Sequence, residues 1–88
     1  MSIFSDKILG GGEITEQGKF SGNGAFYIAL APKTTEAPSV GILNVKLSTN
    51  TEFTEFPFSV ALWNPIVVNE IDVKEADLTN YRIFWGEM

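Results

Sequence analysis

Thr54-Glu55-Phe56-Pro57-Phe58-Ser59-Val60-Ala61-Leu62 decides the fold class of this 88-residue chain. Phe56, Phe58, Val60 and Leu62 occupy every second position. Side chains alternate across a strand, so a period of two gathers all four on one face. A helix would scatter the same residues around its axis. Pro57 falls on the opposite face and has no N–H for a ladder, which predicts an edge strand or a bulge.

The same period extends in both directions. Upstream, Val40 to Leu47 reads as a strand with Leu43, Val45 and Leu47 on one side and Asn44 and Lys46 on the other. Before it, Pro32-Lys33-Thr34-Thr35-Glu36-Ala37-Pro38 is a loop with a proline at each end. Ala25 to Ala31 reads as a strand with Phe26, Ile28 and Leu30 opposed to Tyr27 and Ala29. Gly18 and Ser21-Gly22-Asn23-Gly24 are turn chemistry, and Asn-Gly is the strongest short hairpin signal. Gly10-Gly11-Gly12 reads as a hinge, because ordering three glycines costs much backbone entropy. Ile3 to Leu9 is then a short arm or edge strand, and residues 1–12 are separated from a single β domain over 13–88.

Downstream, Trp63-Asn64-Pro65 is a turn. Ile66 to Val73 is a strand with Val67, Ile71 and Val73 on one side, and Glu70 and Asp72 read as solvated. Lys74 to Thr79 is one helical turn or a loop, and Tyr81 to Trp85 is the last strand. The expected fold is all-β: a small antiparallel β-sandwich or jelly-roll-like barrel of five to seven short strands. Two of the strands, Ala25 to Ala31 and Tyr81 to Trp85, carry apolar groups on both faces. A sheet with one solvated face has no need of that, so a second covering layer is expected there, such as a neighbouring subunit.

Composition limits the chemistry. The chain has no Cys and no His, which removes disulfides, thiolate metal sites and the common acyl-transfer triads. Glu70 and Asp72 share a strand face but read as solvated rather than as a hydrolytic pair in a cleft. Asp72, Glu75 and Asp77 lack the order of a calcium loop. The glycine groups match neither a phosphate loop nor a dinucleotide fingerprint. No enzyme activity, metal or cofactor is expected. The six basic residues are scattered against 11 acidic ones, for a net charge of −5, so neither nucleic acid nor an anionic membrane is an expected partner. The first residues, Met1 to Lys7, lack the basic start and apolar run of a signal peptide, and the start at Met1 with a strand running nearly to Met88 favours a whole chain.

What remains is recognition. A domain this short has a thin core, and with disulfides and thiolate metal sites excluded and no His present, oligomerisation is the remedy left, with a well-packed monomer as the alternative. The aromatic residues are the candidate contacts. Trp63 stands beside a turn, and Tyr27, Tyr81, Phe84 and Trp85 lie on the two-faced strands. Such rings fill a core, an interface or a sugar-binding platform.

The C-terminal half resembles small tailed-bacteriophage virion proteins of the head-fibre, capsid-decoration or spike-base kind. The residues that carry the resemblance are Phe56 to Ile71, with Trp63-Asn64-Pro65-Ile66 at their centre, and then Asp77-Leu78-Thr79-Asn80-Tyr81-Arg82-Ile83-Phe84-Trp85-Gly86. It spans about residues 40–88, and Leu62 stands where those proteins carry a glycine before the tryptophan. The resemblance implies a non-enzymatic structural subunit, assembled in the host cytoplasm into a virion. It would be a homo-oligomer, with a trimer favoured, attached to other virion proteins. Two other readings compete with it. One is a carbohydrate-binding module that stacks sugars on Trp63, Tyr81 and Trp85. The other is an acidic inhibitor of a basic partner.

Overall fold

The computed structural model describes residues 10–22, 24–47 and 51–87. The proposed arm Ile3 to Leu9 and Asn23 of the Asn-Gly turn lie outside them. Seven strands and one short helix follow in the order β1 (Gly10–Ile14), β2 (Gly18–Phe20), β3 (Tyr27–Pro32), β4 (Val40–Leu47), β5 (Thr54–Ser59), β6 (Val68–Val73), α1 (Glu75–Asn80) and β7 (Tyr81–Glu87). They form two antiparallel sheets, β1-β7-β3 and β2-β6-β4-β5. The fold is the small all-β sandwich expected from the alternating runs.

The sheets enclose one core. Ile28 and Leu30 of β3 and Tyr81 and Ile83 of β7 pack on Leu43, Val45, Phe58, Val68, Ile71 and Val73 of the other sheet. Gly41 sits where β4 lies tight against the other layer. A Cβ there would come within 2.8 Å of Leu30 Cδ1 and 3.0 Å of the Tyr81 ring, so the missing side chain permits the contact. At one end Phe20, Phe26 and Trp85 form a triangle of rings with centroids 5.0–6.0 Å apart.

The predicted faces of β3 and β4 are those observed. β5 lies at the end of its sheet, where Pro57 costs no ladder bond. Three expectations need correction. Gly10-Gly11-Gly12 is not a hinge but most of β1, paired in register with Trp85, Gly86 and Glu87. Gly18 opens β2 rather than a turn, with φ of +118° that suits glycine. The inward face of β6 also differs. The register against β4 shifts between Lys46 and Leu47, so Val68 and Ile71 are both fully buried, while Val67 stays outside the core cluster. The region read as helical turn or loop, Lys74 to Thr79, is largely helix α1, whose first turn is held by the Asp77 carboxylate accepting from the Lys74 N–H at 2.9 Å.

Candidate functional site: the outer face of the three-stranded sheet

The position of Trp63 is set by the turn that follows β5. Ala61 takes a left-handed φ of +69°, which ends the strand and turns Leu62 outward, where it is 44% exposed instead of continuing the apolar face. The next bonds tie the turn to β3. The Ala61 N–H donates to the Leu30 carbonyl at 2.8 Å, and the Asn64 N–H donates to the Ile28 carbonyl at 3.0 Å. The buried Asn64 side chain completes the seam. Its Oδ1 accepts from the Ser59 N–H at 2.8 Å, and its Nδ2 donates to the carbonyls of Ile28 and Ser59, each at 3.1 Å. One amide thus satisfies backbone groups from both sheets where the sandwich would otherwise gape.

This seam sets Trp63 opposite Ala29 in an antiparallel bridge, while Phe84 lies opposite Ala29 from β7. Directly opposed residues share a face. Ile28, Leu30 and Ile83 point into the core, so Trp63, Ala29 and Phe84 form a row across the outside of the sheet. Glu13 extends that row on β1. Tyr27 lies two residues along β3 on the same face, beside Gly86 and Gly11. Arg82 lies two residues from Phe84 on β7, with its guanidinium 5.1 Å from the Phe84 ring. It donates to both Glu13 carboxylate oxygens, at 2.9 and 3.1 Å. That bidentate pair holds the Glu13 carboxyl below its ordinary pKa.

Three of the five aromatic candidates therefore meet on one face: Tyr27, Trp63 and Phe84, all half-buried. The other two do not. Tyr81 is buried in the core, where its hydroxyl donates to the Pro38 carbonyl at 2.8 Å and burial raises its pKa. Trp85 packs inward on Phe20 and Phe26. Tyr81 is thus a core residue, and the half-buried Trp85 packs against the core from the inner face. Ala29 was not singled out from the sequence, yet it is the telling residue. It has no solvent exposure although it lies on the outer face and outside the core cluster. Glu13 and Arg82 were also missed, because they are 69 residues apart and only the β1–β7 register joins them.

The face is apolar, ringed and edged by one ion pair. Such a surface suits recognition. Among the described residues, no group of three or more Asp or Glu is placed to hold a metal ion. No protein-family model, curated protein or solved structure matches the chain.

Proposed function

We propose that this chain is a non-enzymatic structural subunit that works by self-assembly, and that the outer face of β1-β7-β3 is one of its contact surfaces. The observation that carries the reading is the row of half-buried rings, Trp63, Phe84 and Tyr27, gathered on the outer face of a sheet whose inner face already packs on the core. The phage-virion part, as a head fibre or capsid decoration attached to other virion proteins, rests on the sequence resemblance around Trp63-Asn64-Pro65 and Tyr81 to Gly86.

The test is solution mass by light scattering behind a sizing column at several dilutions. A closed oligomer that persists at micromolar concentration is expected, and Tyr27→Asp should shift it toward folded monomer with an unchanged circular dichroism spectrum. A clean monomer of the unaltered protein overturns the reading. In that case the same three rings favour the carbohydrate module, now with Tyr27 and Phe84 beside Trp63 in place of Tyr81 and Trp85. Its signature is a shift in tryptophan fluorescence on adding an oligosaccharide.

A further inference from the structure

The strand edges of the sandwich are not equivalent. β3 is bonded along its outer side to the segment after β5 through Ala61 and Asn64, and Phe26, just before β3, makes a reciprocal pair with Val68 of β6 at 2.9 Å each way. β5 carries Pro57, and β2 has only three residues. β1 is five residues long, contains no proline or lysine, and ends its sheet among the described residues. Its one charged residue, Glu13, is already neutralised by Arg82, so little on this edge opposes pairing.

The direction of its backbone groups follows from one bond. The Lys33 N–H donates to the Asn80 carbonyl at 2.8 Å, just beyond the Pro32–Tyr81 pair. That makes Pro32–Tyr81 a pair that exchanges no hydrogen bonds, and the pattern alternates from there. Arg82, Phe84 and Gly86 therefore turn their N–H and C=O toward β3, and Tyr81, Ile83 and Trp85 turn theirs toward β1. On β1, Gly10, Gly12 and Ile14 bond β7, whereas the N–H and C=O of Gly11 and Glu13 point away from it.

We infer that β1 is a strand-pairing edge that takes β1 of a second copy, antiparallel, about a two-fold axis at Gly12. The inference rests on the self-assembly reading and adds a second contact, at the edge of the same sheet. A two-fold at Gly12 sets Gly11 opposite Glu13 of the other copy, twice, so the four outward backbone groups of each strand find partners in the geometry of an exchanging pair. The side chains are compatible with it. Each Glu13 meets a glycine rather than its like-charged twin, and its charge is already matched by its own Arg82. Gly12 faces Gly12 at the axis, where no side chain stands in the way. The two three-stranded sheets become one sheet of six. An isologous contact of this kind closes in pairs, so it predicts an even copy number in place of the expected trimer.

Amide hydrogen exchange followed by NMR on the full chain tests the pairing, together with solution mass. Protection of the Gly11 and Glu13 amides should rise at least tenfold between dilute and concentrated protein, in step with the mass. Gly11→Pro removes an outward N–H and no bond to β7, so it should abolish the concentration dependence while the thermal midpoint of the dilute protein stays within a few degrees. An oligomer whose Gly11 and Glu13 amides exchange at the same rate at all concentrations overturns the strand pairing but leaves self-assembly standing. A monomer at every concentration overturns both.

Discussion

The two sheets share a core but differ on their outsides. On the four-stranded sheet, the row Glu55–Asn44–Asp72–Lys19 crosses β5, β4, β6 and β2, and Lys46 pairs with Glu70 at 3.3 Å in the next row. Lys19 and Lys46 both lie over the Phe53 ring, at 5.4 and 5.0 Å. Val40 and Ile42, at 44% and 53% exposure, are two of the four outward residues of β4, and Ile42 stands opposite the exposed Pro57, so one end of this face is apolar. On the three-stranded sheet the apolar groups are instead half-buried rings around the fully buried Ala29, with the Glu13–Arg82 ion pair at the margin. The sequence anticipates this. The two strands with apolar residues on both sides, Ala25 to Ala31 and Tyr81 to Trp85, prove to be direct neighbours β3 and β7. In these adjacent strands the two-sided apolarity fills the core on one side and surrounds the buried Ala29 with half-buried rings on the other.

The sharpest way to break this comparison is to place one charge on each outer face. Ala29→Asp should cost about 3 kcal/mol, because it puts an unpaired carboxylate where there is no solvent. The matched change on the other sheet runs the opposite way: Asn44→Lys lies between Glu55 and Asp72 and should stabilise by roughly 0.3 kcal/mol per pair. Urea denaturation of both variants reads the contrast, and equal effects would erase the distinction between the faces. Next in size is the seam that joins the sheets. Asn64→Ala leaves the Ile28 and Ser59 groups short of partners and should cost about 2 kcal/mol by the same assay. A neutral result would mean that the seam is closed by the backbone bonds alone.

The smallest effect belongs to the ion pair. Glu13 has its pKa lowered in the folded chain by Arg82. Its contribution is therefore present in full above the ordinary carboxylate pKa and is lost as the pH falls through the lowered value. Glu13→Gln should be slightly less stable than the parent at pH 7, and thermal melts of the two proteins should converge as the solution is acidified.

The alternating runs made β3, β4 and β5 legible, since each places a run of apolar side chains at period two. β1 and β2 were hidden for a physical reason. Their stability comes from backbone bonds to β7 and β6, and Gly10-Gly11-Gly12 offers no side chains to reveal a face. The candidate site was half legible. Alternation in Tyr81-Arg82-Ile83-Phe84-Trp85 separates Phe84 from Tyr81 and Trp85, but both sets are aromatic, so the pattern alone does not say which set is inside. The partners decide that: Ile83 opposes Leu30 in the core, and Phe84 opposes Ala29 outside it. Asn64 was seen as a turn residue, but its bond to Ile28, 36 positions away, depends on the sandwich being closed.

The strand order also governs how the chain is made. β7 is the middle strand of its sheet, and both its neighbours, β1 and β3, precede it by more than 40 residues. While the polypeptide is still emerging from a ribosome, at about 5–20 residues per second, β1 and β3 have no mate, and the β1-β7-β3 sheet cannot exist until Tyr81–Glu87 has cleared the tunnel. Glycine-rich β1 adds little to the apolar surface of that waiting chain, because Ile14 is its one apolar side chain.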